Sequence, residues 1–371
     1  MRMNPTTKMT ADIFQTEGVR YAGSKRALLP FIHQAIQSLP IQSVLDGFSG
    51  SSRVSQFFKK AGYTVHSNDI AIYSSVFATT YLLNNEPSPE TLEKIEHLNN
   101  LPPQDGFYTE TYSGLDDGAG KVVAADGKKK PFQLHNTRKI DAIRPEIDRV
   151  AKDEVERCTL LTSLCLALDK VENTLGHQVA YLSKWAPRTY QELQLKLPKL
   201  IVGHKAHQVS QKDAKTIKSC YDLAYFDPPY NTNNTNTATT RVRYASYYHF
   251  WTTLVKNDAP EVIGASNRRK DCSSDRIPGA ISPFEHTSLH VVERELEQLI
   301  QAVRAQFVLC SYSNKGKISP ERFTDILSGY GELLSITPIN HKENIQKSLR
   351  TTNLWPGDPS PNIEYLFLLK K

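Results

Sequence analysis

The chain has 371 residues, with 45 Lys+Arg against 39 Asp+Glu for a net charge of +6, and 39% of its residues are hydrophobic. That length suits one large α/β domain with an insertion, or two ordinary domains, and the mild positive balance is compatible with a polyanionic partner without requiring one. No apolar run approaches the ~20 residues a membrane helix needs, the polar start MRMNPTTKMTADIFQTEG lacks the apolar stretch of a secretory signal, and five scattered cysteines without C-x-x-C argue against a disulfide framework or zinc site.

Taken in chain order, Arg20-Tyr21-Ala22-Gly23-Ser24-Lys25 sets a glycine turn and a cation ahead of a helix bearing Leu28, Phe31, Ile32, Ala35 and Ile36. A cation after such a turn suits a carboxylate. Ser43-Val44-Leu45-Asp46 reads as a strand closing on the small-residue turn Asp46-Gly47-Phe48-Ser49-Gly50-Ser51-Ser52. Residues 52–61 follow as a helix with Val54, Phe57, Phe58 and Ala61 on one face and Gly62 as its stop. A second strand, Tyr63 to His66, ends at Asn68-Asp69. This strand–turn–helix–strand–acid unit is the building block of a parallel doubly wound sheet. The turn fits neither G-x-G-x-x-G nor the P-loop pattern, but its small residues let a ligand approach the backbone and the helix start offers unpaired N–H groups.

The stretch 84–205 has a different texture. Residues 104–130 are glycine- and acid-rich and end in Lys128-Lys129-Lys130, which reads as a long loop or hairpin. Residues 138–171 carry Ile140, Ile143, Ile147, Leu160, Leu161, Leu164 and Leu168 at helical spacing. The strand pattern then resumes. Asp213 follows the strand-like HQVSQ, and Asp222 to Phe226 leads directly into Asp227-Pro228-Pro229-Tyr230. Two prolines fix φ twice, so an acid, a carbonyl and an aromatic ring are presented rigidly at the carboxyl end of a strand, where open α/β sheets bind ligands. NTNNTNTATT at 231–240 is a polar low-complexity loop. A helix at 288–304, a strand at 306–312 and an antiparallel pair at 332–339 and 362–370 close the pattern.

The order YAGSK, DGFSGSS, NDI, KDA, YFDPPY resembles the DNA N6-adenine methyltransferases, within them the alpha, Dam-like group, in which cofactor motifs precede D-P-P-Y and a recognition region interrupts the domain. NTRKIDAIRPEID and DKVENTLGHQVAYLSKW resemble the insertion of a restriction-system subset, and RYASYYHFW, VLCSYSNKGKIS and NIEYLFLLK its later segments, so the likeness runs over nearly the whole chain. The resemblance implies a doubly wound mixed sheet of the S-adenosylmethionine-dependent, Rossmann-like type. It divides the chain into residues 1–83, an inserted, mostly helical recognition region at 84–205, and 206–371 with the catalytic motif. It also implies that Tyr21, Gly23 and Lys25 lie over the methionine end of S-adenosylmethionine, Lys25 pairing its carboxylate. Asp46, Phe48 and Gly50 form a cofactor wall, Asp69 holds the ribose and Asp213 the cofactor's adenine amine. Asp227, Pro228, Pro229 and Tyr230 hold and stack a flipped-out adenine. One departure stands: Ser52 occupies the place of the family's usual second loop glycine.

The implied partner is double-stranded DNA, with a separately encoded restriction endonuclease, in a cytoplasmic monomer or weak dimer that makes no membrane contact. Phosphate contacts are assigned to Lys128, Lys129, Lys130, Arg138, Lys139, Lys184 and Arg188 in the insertion and to Arg241, Arg243, Arg268, Arg269 and Lys270 beyond D-P-P-Y, each otherwise an ordinary solvated cation. Two alternatives remain: RNA adenine or DNA cytosine-N4 as substrate, for which N-P-P-Y/F or S-P-P-Y is more usual than D-P-P-Y, and a catalytically silent DNA-binding module. The His204/His207 and His286/His290 pairs lack the companions of a metal site. Cys165 and Cys310 read as core residues. The aromatic set Tyr244, Tyr247, Tyr248, Phe250, Trp251 serves either helix packing or contact with distorted DNA.

Overall fold

The computed structural model describes residues 12–86, 88–124, 126–203, 205–230, 243–273, 282–341 and 362–371. The fold is α/β on mixed, mostly parallel strands. In chain order its principal strands are β1 (Ser43–Asp46), β2 (Thr64–Asn68), β3 (Gln208–Ser210), β4 (Cys220–Phe226), β5 (Arg304–Ser313), β6 (Glu332–His341) and β7 (Asn362–Lys370). The chain divides into two compact units: residues 1–29, 49–211 and 244–281 form the first, and 30–48, 212–243 and 282–371 the second. Residues 84–205 lie wholly inside the first.

In the second unit β1, β4 and β5 run parallel, with Val44 opposite Leu223 and Leu223 opposite Phe307. β7 is antiparallel to both β5 and β6. β6 pairs only with β7 among the described strands, so Pro338 costs no ladder hydrogen bond on its outer side. Strands buried on both faces need continuous apolar runs; Leu223 to Phe226 and Phe307 to Cys310 supply them, and all are buried. The helix Leu289–Ala302 adds Val292, Leu296, Leu299 and Ile300 to this core, and the helix Pro320–Ser328 adds Phe323, Ile326 and Leu327.

The first unit holds the parallel pair β2–β3, with His66 opposite Gln208, and a helical assembly. The helix Glu154–Val171 is buried nearly all round, which its leucine-rich sequence requires. Asp153 caps its start by accepting from the Glu156 N–H at 2.8 Å. It packs with helices Ile72–Leu83, Leu134–Val150 and His249–Lys256 into one core. The 104–130 stretch is more ordered than a loop: it contains a helix Phe107–Tyr112 and an antiparallel pair, Ser113–Asp116 with Val122–Val123. The glycines concealed this helix because its stability is tertiary. Tyr108 and Tyr112 bury against Phe250, and the Asp141 carboxylate accepts from the N–H groups of Tyr108 and Thr109 at 2.9 and 2.7 Å.

Candidate active site

Within the second unit the carboxyl ends of β1 and β4 are neighbours. Asp46 is in register with Tyr225, and the Gly47 N–H donates to the Tyr225 carbonyl at 3.0 Å. A Cβ on Gly47 would stand 2.5 Å from the Phe226 ring, so only glycine admits this approach. Phe48 then sits edge-on to Phe226 and Phe284, with centroids 6.0 and 5.5 Å away. From Phe226 the chain enters Asp227-Pro228-Pro229-Tyr230. The Tyr230 ring meets Tyr312 of β5 edge-on at 5.4 Å, and its hydroxyl donates to Glu364 of β7 at 3.4 Å. Glu364 is buried and also accepts from the Ser311 hydroxyl at 2.8 Å. Burial pushes the neighbouring Cys310 thiol up, and the Asp227 charge adds to the shift. Asp213 is exposed and caps a short 3-10 turn, its carboxylate accepting from the Lys215 N–H at 3.0 Å.

Within the first unit Tyr21, Gly23, Lys25, Gly50 and Asp69 come together. Gly50 adopts φ +49°, and an added Cβ would lie 2.9 Å from the Tyr21 ring. Asp69 receives the Gly50 N–H at 2.8 Å and the Ala71 N–H at 2.9 Å. Burial raises the Asp69 pKa, and these two hydrogen bonds oppose the rise. Lys25 is buried and its ammonium donates to the Gly23 carbonyl at 3.1 Å. Burial pushes the Tyr21 phenol well up, with Tyr73 and Asp69 adding to the shift.

The sequence model of D12 class N6 adenine-specific DNA methyltransferases matches residues 21–282 of this chain. The chain belongs to that class. Among its relatives are modification methylase StsI of Streptococcus sanguinis, 29% identical over 333 residues that cover 84% of this chain and 46% of that protein, and modification methylase LlaI of Lactococcus lactis subsp. lactis, 27% identical over 83% of this chain and 48% of that protein. The D12-class chain thus spans about half the length of these two. Type II methyltransferase M.NlaIII of Neisseria lactamica is 27% identical, with 85% of this chain and 89% of that protein covered.

Many basic side chains of this D12-class chain are engaged internally. Lys130 is buried and paired with Asp126 at 2.9 Å, Arg138 holds Asp105 at 2.6 Å, and Lys139 donates to the Asn99 and Leu101 carbonyls, each at 2.7 Å. Arg188 donates to the carbonyls of Glu172 and Thr174, and Lys128 to the Asn267 side chain. Arg269 is buried between Asp258 and Asp271, and Lys270 pairs with Glu261. Lys129 and Lys184 are exposed and form no ion pair among the described residues. Arg243 is half-buried, while Arg241, His204 and the 231–240 run lie outside the described residues. His207 accepts the Val65 N–H at 3.2 Å.

Glu364 and the partners of Arg20 were not singled out from sequence. The available signal for Glu364 was an acid inside the apolar run NIEYLFLLK. Among the described residues no group of three or more His, Cys, Asp or Glu side chains is arranged to hold a metal ion, and no helix is long and apolar enough to cross a membrane.

Proposed function

We propose that this chain is a site-specific DNA adenine-N6 methyltransferase that modifies a flipped-out base in duplex DNA, working in the cytoplasm beside a separately encoded restriction endonuclease. The observation that carries the reading is Asp227-Pro228-Pro229-Tyr230 at the end of β4, directly beside the Asp46-Gly47-Phe48 turn at the end of β1. S-adenosylmethionine, when bound, supplies an electrophilic sulfonium methyl. The family's motif order assigns Tyr21, Gly23, Lys25, Gly50 and Asp69, together with Asp46, Phe48 and Asp213, to its binding. The buried Lys25 ammonium suits a carboxylate, and Phe48 offers an aromatic face of the kind a purine stacks on.

Adenine N6 is a poor nucleophile because its lone pair is delocalised into the ring. In the proposed role the Asp227 carboxylate and the Pro228 carbonyl each accept one N6 hydrogen, which draws the nitrogen toward tetrahedral geometry and localises the lone pair. Tyr230 gives the extruded base a stacking face and is itself held by Glu364 and Tyr312. The chain's contribution is positioning and electrostatics, with no covalent enzyme intermediate.

Methylation-sensitive sequencing of DNA from cells expressing the chain is expected to show N6-methyladenine in one fixed context. Asp227→Ala is expected to abolish transfer while retaining binding of radiolabelled S-adenosylmethionine, and Asp69→Ala to lose that binding. Unchanged methylation by Asp227→Ala sinks the assignment.

A further inference from the structure

The segment 20–24 belongs to no strand or helix; its Ser24 N–H closes a turn on the Tyr21 carbonyl at 3.2 Å, and its other backbone polar groups need partners from elsewhere in the fold. Ala22 finds partners for both its N–H and its carbonyl in tyrosine hydroxyls. Its N–H donates to the Tyr248 oxygen at 2.6 Å, and its carbonyl accepts from the Tyr244 hydroxyl at 3.1 Å. Tyr248 is fully buried and its hydroxyl donates to the Gly176 carbonyl at 3.4 Å. The same two rings flank Tyr21: Tyr248 stacks on it at 4.3 Å with 13° between planes, and Tyr244 lies 5.5 Å away. The Tyr244 hydroxyl also stands 3.0 Å from the point a Cβ on Gly23 would occupy. One residue before Tyr21, the Arg20 N–H donates to Asp169 at 3.1 Å and its guanidinium to Asp169 and Glu172.

We infer that Tyr248 and Tyr244 are positioning residues for the Tyr21–Lys25 turn, holding the peptide groups on either side of the Ala22 Cα and thereby setting the affinity for the amino-acid end of S-adenosylmethionine. This rests on the functional reading above. Phenylalanine would supply the same ring packing, so what is particular to tyrosine here is the pair of oxygens on the two successive peptide groups that flank the Ala22 Cα. With both gone, Ala22 is held by the Ser24–Tyr21 turn bond alone among these, and the Gly23 carbonyl that accepts from the Lys25 ammonium is placed less firmly.

The test compares Tyr248→Phe and Tyr244→Phe with the unaltered full chain. Binding of S-adenosylhomocysteine is measured by calorimetry, together with the melting temperature without ligand, and kcat and KM for S-adenosylmethionine on DNA carrying the methylated context. The expected result is cofactor binding weakened about tenfold in Tyr248→Phe and less in half-buried Tyr244→Phe. KM for S-adenosylmethionine rises with it, kcat is nearly kept, and the ligand-free melting temperature of Tyr244→Phe is unmoved. Equal cofactor binding in all three proteins overturns the inference, as does a loss confined to kcat and melting temperature, which marks a purely structural role. A wild-type chain that binds neither S-adenosylmethionine nor S-adenosylhomocysteine overturns the functional reading itself.

Discussion

Ser52 is buried and holds φ at +59°, a left-handed conformation that costs a non-glycine residue on the order of 1 kcal/mol. The resemblance places a glycine there, and the geometry shows why glycine fits. The serine hydroxyl returns part of the cost by accepting from the Gln56 amide at 3.3 Å. Glycine relieves strain but adds unfolded-state freedom, so Ser52→Gly is expected to shift unfolding free energy by less than about 1 kcal/mol. Ser52→Val, β-branched at positive φ, is expected to cost more than about 2 kcal/mol, read from urea midpoints. A second residue-scale effect is acid sensitivity. Burial pushes His249 down to about 3, its Nε2 meeting the Gln178 carbonyl at 3.1 Å. The folded pKa lies below the unfolded value of about 6.5, so the unfolded chain binds more protons and stability falls as pH drops from about 6.5 towards 3. His249→Gln is expected to lose less stability than wild type between about pH 6.5 and about pH 5, measured by denaturant unfolding at both. An equal loss removes His249 from the account.

At the scale of elements, the helix Phe107–Tyr112 depends on a cap supplied by another helix. Asp141 bonds two of its first N–H groups, so Asp141→Ala is expected to cost about 1–2 kcal/mol and to raise amide exchange at Tyr108 and Thr109. The helix Glu154–Val171 depends on packing. Leu161 is completely buried in the first unit's core, and Leu161→Ala is expected to cost roughly 2–5 kcal/mol, measured by chemical denaturation. The helix Leu134–Val150 accommodates Pro145 in its interior, and its Arg144 is fully buried, donating to the Leu254 and Val255 carbonyls. Arg144 ties off the carboxyl end of the helix His249–Lys256, whose first residues follow Tyr248. The two helices are thereby stapled within the unit that holds the Tyr21–Lys25 turn.

For the molecule as a whole, the 45 Lys and Arg residues overstate the cations available to a polyanion, because Lys130, Arg138 and Arg269 are paired with acids of the same chain. Lys129 and Lys184 remain exposed without such partners among the described residues. DNA affinity is expected to fall steeply with salt. Replacing both lysines by Ala is expected to make the slope of log K against log salt shallower by roughly one for every phosphate they neutralise. Nitrocellulose or anisotropy titrations at several salt concentrations measure it, and an unchanged slope excludes both residues from the interface.

Periodic and local features were legible from the residues alone. Apolar runs closing on Asp46 and Asp227 marked their strands, because a strand buried on both faces leaves a continuous signal, and the motif order by itself pointed to the family. Which polar groups meet was settled only by the folded chain. Glu364 reaches Tyr230 from a strand more than a hundred residues away, and Tyr244 and Tyr248 reach Ala22 from more than two hundred. The basic residues looked alike in sequence, yet Lys130 is buried and Lys129 is not. Burial and hydrogen-bond pairing are properties of non-local neighbours, and composition and spacing carry no record of those neighbours.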